Sequence, residues 1–478
     1  VTNRYSPFAV RCALLLIFAL TLTFPAFAQD PQPGSPGVGD SLYPGFGNGG
    51  YDVQHYTLDL IVDPASSFIV GETTIEATAT QDLSAFNLDL IGLEVGAITV
   101  DGEPAEFSRE GQELTITPAA PIRSGAEFVT VISYTGVPEN IYSVAIPVLT
   151  GWVFYGDGIF VLSEPDGAAN FYPVNDHPLD KATYTLRVTV PKPYSVAMNG
   201  IVTEITDNGD TTTTVSEVNH PMASYLTTIN IAQFELVEDG EVDGVPIRNY
   251  FDVGLSDAGR ANFARQAEMM VYFESLFGDY PFDVYGSVVL NTETGTALET
   301  QTLSIFGIDM IDENDPLAGE STVAHEIVHQ WFGNSVTLAD WRDIWLHEAW
   351  GTYGEGLWIE YNDGRAALDS WIHETYAYIS EQVEFLSPPG SPPADDLFNT
   401  SVYYWGALAL HALRVRVGGE TFFQIAREWH ARYQYGNAGT AEFIDVVNDI
   451  TGQDYTAFFE SWLYSGDLPA IPEMALGS

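Results

Sequence analysis

Two histidines four residues apart, His325 and His329, are the first residues whose type and spacing can do chemistry. On a helix, positions i and i+4 lie about 40° apart around the axis, so both imidazoles leave one face and can hold one Zn²⁺. Glu326 lies between them, beside the metal but off the ligand face, where it can take a proton from a metal-bound water. A catalytic zinc needs a third protein ligand and one open position. Glu348, with eighteen residues between it and His329, is the candidate, in a second helix-like stretch, WLHEAWGTYGEGLW. His347 competes for that role, but one residue along a helix it points about 100° away and reads as a neighbour. Glu355, seven residues past Glu348, returns to the same face. A partner for a metal ligand and a solvated glutamate are both open to it. The alternative for the histidine pair is a set of core or capping histidines.

The elements that must position these groups divide the chain in two. In 183–190, Tyr184, Leu186, Val188 and Val190 alternate with polar residues, the pattern of a half-buried strand. Asn208-Gly209 between two β-rich runs, 201–205 and 211–215, is a hairpin signal. Short runs of this kind place a β-sandwich-like domain over 49–244. After Arg248 the period changes. Ser256 caps an expected helix running to Phe277, with Gly278 as its stop. Helical patterns then dominate to the end, interrupted by a Pro-rich loop at 387–393, so 245–478 reads as a mixed, mainly helical domain. The fold class is α+β with two domains. Residues 29–48 are Pro/Gly-rich and aperiodic, the composition of a flexible leader.

Residues 1–28 have the pattern of a secretory signal: Arg4 and Arg11, an apolar run from Cys12 to Phe24, then Ala26-Phe27-Ala28. That run is shorter than the roughly 20 residues a membrane span requires. An exported, extracellular or cell-envelope protein with no membrane span after cleavage is therefore expected. Cys12 is the one cysteine, so a mature chain would have to bind metal through His, Asp or Glu. Asp and Glu total 66 against 16 Lys and Arg, a formal charge of −50. This excludes the cationic footprint of a non-specific nucleic-acid binder and of a polybasic membrane-surface protein.

H-E-x-x-H followed by eighteen residues and Glu resembles the gluzincin clan, in particular the aminopeptidase N family of zinc aminopeptidases. Other segments agree in order and spacing. Residues 51–56 (YDVQHY) resemble the family's opening strand and 164–184 (EPDGAANFYPVNDHPLDKATY) its N-terminal-domain stretch. TALET (296–300) falls where the family carries its G-A-M-E-N motif. SVYYWGALAL (401–410) falls where it has Y-E-K-G, and 458–469 (FFESWLYSGDLP) resemble the end of its catalytic domain. The resemblance implies a thermolysin-like catalytic domain with one zinc on His325, His329 and Glu348, and Glu326 as general base. It implies that Glu299 and Glu164 bind the free amine of a peptide's N-terminus, and that Tyr403 donates a hydrogen bond to the oxyanion. Tyr404, adjacent, leaves the register of that tyrosine open.

The chain also departs from the family pattern. Thr296, Leu298 and Thr300 replace Gly, Met and Asn in the motif around Glu299, so the first side-chain pocket is not inherited. Trp405 stands where a lysine is usual, and His347 where an asparagine precedes the third ligand. The sequence stops 75 residues after Tyr403, which implies a two-domain form lacking the C-terminal helical domain. The expected function is an exported zinc aminopeptidase acting on peptides with a free N-terminus. A zinc endopeptidase with an open cleft and a non-catalytic peptide-binding module are the alternatives. Oligomeric state is left open.

Overall fold

Alternating side chains organise the first half of the molecule. In the computed structural model, which describes residues 2, 30–143, 145–156 and 158–477, Tyr184, Leu186, Val188 and Val190 are all buried on the strand Ala182–Pro191. The expected export segment, residues 1–28, lies outside the described residues apart from Thr2. The description that follows concerns the unit that begins at Pro31.

Strand Ala182–Pro191 runs parallel to Tyr51–Asp63, with Tyr184 opposite Tyr56 and Leu186 opposite Leu58. Both sit inside an eight-stranded sheet whose remaining pairings are antiparallel, one edge being the strand Ile201–Asp207. The expected hairpin joins that edge to Thr211–Met222, with Gly209 at φ 92° in its turn. A four-stranded sheet (Gln32–Pro33, Leu83–Asp89, Glu113–Thr117, Glu106–Glu110) and a five-stranded one complete a mainly β N-terminal domain. The five-stranded sheet matters most for the site, because its strand Ile159–Leu162 ends two residues before Glu164.

The expected boundary at 244/245 falls in a tight turn. Strand Phe234–Val242 pairs with Val245–Asp252, with Val242 opposite Val245, so both belong to the next sheet. Asp243-Gly244 is a hairpin turn, and the change of sheet occurs near Gln233. That four-stranded sheet continues in parallel through Tyr285–Val289 and Ser304–Phe306. Nine helices follow or interleave among the described residues: α1 (Asp257–Ala261), α2 (Gln266–Phe277), α3 (Pro316–His329), α4 (Trp345–Asp363), α5 (Arg365–Gln382), α6 (Gly406–Val417), α7 (Gly419–Tyr433), α8 (Thr440–Thr451) and α9 (Thr456–Leu463).

The helix expected over 256–277 is broken into α1 and α2. Ser256 caps α1 by accepting from Gly259 N, and Gly278 at φ 97° ends α2, both as expected. The break comes from Asn262, whose buried amide donates to the Ala258, Gly259 and Asp312 carbonyls and accepts from Asp312 N. A side chain that competes for helix carbonyls and also satisfies a neighbouring loop favours interruption. Aromatic rings close the helical core: Phe332 stacks on Trp350 at 4.4 Å, and Phe277 meets both edge-on.

Residues 31–49 are not a flexible leader. Gln32–Pro33 adds a parallel strand to Leu83–Asp89. Asn48 donates to Asp89 and Tyr43 to the Ala394 carbonyl, while Ser41 donates twice to Asp340. The glycines serve close approach: a Cβ on Gly34 would run into the Gly49 carbonyl, and one on Gly49 into Ser35. Composition alone does not separate this use of glycine from flexibility.

Asp40 is the keystone of this segment. Its buried carboxylate accepts from Leu42 N (2.8 Å), Tyr43 N (2.7 Å) and Trp341 N (2.8 Å), and lies 3.2 Å from His177 Nε2. Burial opposes its ionisation, but the His177 and backbone hydrogen bonds outweigh that and hold its pKa below the ordinary 3.8. A depressed folded-state pKa adds stability above the unfolded value and loses it as pH falls through the folded one. Asp40→Ala should lower unfolding free energy by about 3 kcal/mol in urea titrations at neutral pH. The difference from the parent should shrink in acid.

Candidate active site and metal centre

Helix α3 starts with Pro316 in its first turn, where a missing N–H costs nothing, and runs through the H-E-x-x-H residues to its last turn. Helix α4 packs against it and presents Glu348 from its own first turn. The result is a compact triad: Glu348 Oε2 lies 3.5 Å from His325 Nε2 and 3.6 Å from His329 Nε2. A tetrahedral ion bound at about 2.0–2.1 Å sets its ligand atoms roughly 3.3–3.4 Å apart, so the donor set fits such an ion.

The other ring nitrogens are held as ligand imidazoles require. His325 Nδ1 is 2.9 Å from Glu355 Oε1, and Glu355 also accepts from Ser321 Oγ at 3.0 Å. His329 Nδ1 is 3.1 Å from the Phe332 carbonyl. Glu355 is therefore a partner of His325 and not a solvated residue.

Two glycines allow this contact. A Cβ on Gly351 would stand 2.7 Å from both His325 Nε2 and His329 Nε2, and one on Gly354 would stand 2.6 Å from Val328 Cγ2. The space an ion needs beside the imidazoles is thus the space a side chain at 351 would fill. Sequence reasoning passed over Gly351, although a glycine inside a helix carries a propensity cost of about 1 kcal/mol and so signals a packing or functional reason.

All seven expected site residues line one cleft: Glu164, Glu299, His325, Glu326, His329, Glu348 and Tyr403. Glu299 lies on an extended segment bridged to the sheet through Leu298 and Ile305. Its carbonyl accepts from Gln330 Nε2 (2.9 Å) and Asn334 Nδ2 (2.6 Å), in the loop that leaves α3. Lys181 Nζ binds that loop from the N-terminal domain, donating to the Asn334 and Ser335 carbonyls and to Thr337 Oγ1. Gln330, Asn334 and Lys181 position the site without touching its cavity, and only adjacency to His329 marked the first of them in sequence.

His347 turns away from the triad. Its Nε2 accepts from Leu338 N at 2.9 Å, and burial pushes its pKa down to about 3, so the ring is neutral. Tyr403 sits on a π-helical turn, Ser401–Trp405, that leads into α6 and swings its ring to 6.1 Å from that of His325. Tyr404 packs edge-on against Tyr378, and of the two tyrosines Tyr403 is the one that lines the cleft.

The electrostatics are those of crowded, buried acids. Glu164, Glu299 and Glu326 each keep a buried carboxylate oxygen without a protein partner. Burial, reinforced by Glu299, Glu348 and Glu326, pushes the Glu164 pKa well up. Burial also raises Glu299, and takes Glu326 up to about 8 against the pull of the two histidines. Burial opposes ionisation of Glu348 too, but His329 and His325 outweigh it and hold that carboxyl well below the ordinary range. Burial, then the surrounding acids, keeps the Tyr403 hydroxyl protonated and therefore a donor. So much negative potential around two imidazoles favours a bound cation.

A two-helix His–His–Glu centre beside a mixed sheet, flanked by an unpaired glutamate and a tyrosine donor, defines the class: a metallopeptidase scaffold. Comparison with known proteins gives the family. Residues 52–226 match the peptidase M1 N-terminal domain and residues 262–462 the peptidase family M1 domain. The M1 zinc metallopeptidase of Deinococcus radiodurans superposes with a TM-score of 0.83 at 32% identity, covering 91% of this chain and 99% of that one. A form of it bound to a Tyr-Ser-Ala substrate matches with a TM-score of 0.84 at 32% identity, over 92% of this chain and all of that one. Aminopeptidase M1 of Arabidopsis thaliana is 26% identical over 64% of this chain and 37% of its own length. This chain belongs to peptidase family M1. It spans about a third to a half of the length of the curated relatives it matches.

Gly351→Ala should fold but retain less than about a tenth of the parent's bound metal, because its methyl group occupies the ion's side of both imidazoles. Metal analysis after dialysis, beside circular dichroism, checks both parts.

Proposed function

We propose that this chain is an exported zinc aminopeptidase. The observation that carries the reading is the pair Glu164 and Glu299, each with a buried, unpartnered carboxylate oxygen, lining the same cleft as the His–His–Glu triad. A lone ammonium between two buried carboxylates offsets their desolvation, and a substrate held by its terminal amine presents its first peptide bond to the metal centre. The names of the relatives support the same activity.

Placement supports the following roles. His325, His329 and Glu348 hold one zinc ion, with Glu355 fixing the His325 ring. The bound ion supplies Lewis acidity that polarises the scissile carbonyl and acidifies water. Glu326, with a free buried oxygen, accepts the proton of the attacking water and delivers it to the departing amine. The Tyr403 hydroxyl donates to the carbonyl oxygen as negative charge develops there. Ile146, Val148, Leu162, Leu298 and Phe398 line the same cleft, which suits an apolar first side chain. Export rests on the pattern of residues 1–28. Among the described residues no helix is long and apolar enough to cross a membrane.

Glu326→Gln should keep its zinc and lose at least about 10³-fold in kcat; near-parental turnover would remove the proposed base. In a panel of peptides, N-terminal acetylation should abolish cleavage. Free peptides beginning with Leu or Phe should exceed those beginning with Glu by at least about tenfold in kcat/KM. Undiminished cleavage of acetylated peptides would establish an endopeptidase instead.

A further inference from the structure

The two carboxylates assigned to a substrate's terminal amine have neutral polar groups at their backs. A carboxylate oxygen of Glu164, one of Glu299 and a ring nitrogen of His347 lie within 4.8 Å of one another, and all three residues are buried. The two glutamates line the cleft, and His347 meets them from outside that lining. Its tautomer is set by the backbone. Leu338 N–H donates to Nε2 at 2.9 Å, so the proton of the neutral ring sits on Nδ1, which is buried without a partner among the described residues. Neither nitrogen then keeps a lone pair for a metal ion, so the trio is not a second metal site.

Tyr225 is the second such group, on the short turn Ser224–Leu226 of the N-terminal domain. Its ring packs edge-on against Trp341 at 5.4 Å, and its hydroxyl is buried without a partner among the described residues. Burial raises its pKa well above the ordinary value, and Glu299 and Glu164 are the charges that add most to this. The hydroxyl therefore stays protonated, a donor in the field of the pair. Two buried carboxylates this close repel each other, and the unpartnered oxygen of each has no protein group fixing it. A lysine or arginine behind them would hold them firmly but would repel the incoming ammonium. Neutral N–H and O–H donors orient the carboxylates and leave their negative charge for the substrate.

We propose that His347 and Tyr225 are positioning residues of the amine site, whose N–H and O–H donors hold the Glu164–Glu299 pair aimed at a peptide's N-terminus. The inference rests on the aminopeptidase reading above. His347 acts across a gap of at most 4.8 Å, which one bridging water spans. Its two nitrogens serve different ends: Nε2 secures the loop at Leu338, and Nδ1 supports the pair. Tyr225 and Glu164 come from the N-terminal domain, His347 and Glu299 from the catalytic one, so each domain supplies one acceptor and one donor.

The test compares two probes by titration calorimetry on the zinc-loaded protein: leucine hydroxamate, which carries an α-amine, and isocaproyl hydroxamate, the same molecule without it. The parent should bind the first at least about tenfold more tightly, a ratio that reports the amine site alone. His347→Leu should cut that ratio at least about fivefold by weakening leucine hydroxamate, with the amine-free probe unchanged. His347→Asn, whose amide N–H falls near the place of Nδ1, should restore most of it. Tyr225→Phe removes one oxygen and keeps the ring on Trp341, so it serves as the second variant should His347→Leu not fold. It should cut the ratio by about threefold, again through leucine hydroxamate. Equal binding of the two probes by the parent would overturn the aminopeptidase reading and this inference with it. A parent that discriminates, beside variants that keep its ratio or lose both probes alike, would overturn the inference alone.

Discussion

The organising constraint in this molecule is negative charge held out of water. Glu164, Glu299, Glu326 and Glu348 are all buried around two imidazoles, and each raises the cost of ionising the others. Such a cluster is relieved by protonation or by cations, and the proposed metal ion and substrate ammonium would both draw on the second route. The carboxylates also come from different parts of the chain: Glu164 from the end of an N-terminal strand, Glu299 from the catalytic sheet and the others from two helices. The N-terminal domain is therefore part of the site and not an appendage to it.

Holding like charges close demands stiff supports. Glu299 is fixed through its backbone, by Gln330 and Asn334, and one of its carboxylate oxygens is left without a protein partner. Lys181 then ties the loop bearing Asn334 to the opposite domain, and burial pushes its pKa down to about 7. Close helix approach is the second support. Gly406 lets α6 come against Ala349 of α4 in the way that Gly354 lets α4 come against Val328 of α3. The π-helical turn before α6 changes the facing of one residue without moving the helix behind it, and Tyr403 is that residue.

The His–His–Glu triad was legible in sequence because its spacing is local. His325, Glu326 and His329 share one helix, and the step to Glu348 spans only a loop and the first turn of the next. Strands were legible where alternation was strict, as in Ala182–Pro191. What stayed hidden was set by distant partners. Asn262 breaks a well-capped helix because Asp312 is there to receive it, fifty residues on. Asp243-Gly244 reads equally well as a linker or a turn until Val242 is seen to pair with Val245. Glu355 read equally as solvated or as a partner because the pattern of one helix face does not show what the facing helix offers. Glycine was the most ambiguous signal. It suggested flexibility at 29–48, where it permits tight contact, and drew no notice at 351, where it makes room for an ion.

The pinned segment near the start of the chain has a consequence for how the molecule assembles. Asp40 meets Trp341 across 301 residues, and Ser41 meets Asp340 across 299. Contacts of such separation form late, since closing a long loop costs entropy before any contact repays it. The N-terminal sheets can pair as soon as their strands are available, but residues 40–43 cannot settle until the loop ahead of α4 has taken shape. Residues 40–43, synthesised long before their partners, are thus among the last to find their place, and their docking marks the completion of the catalytic half.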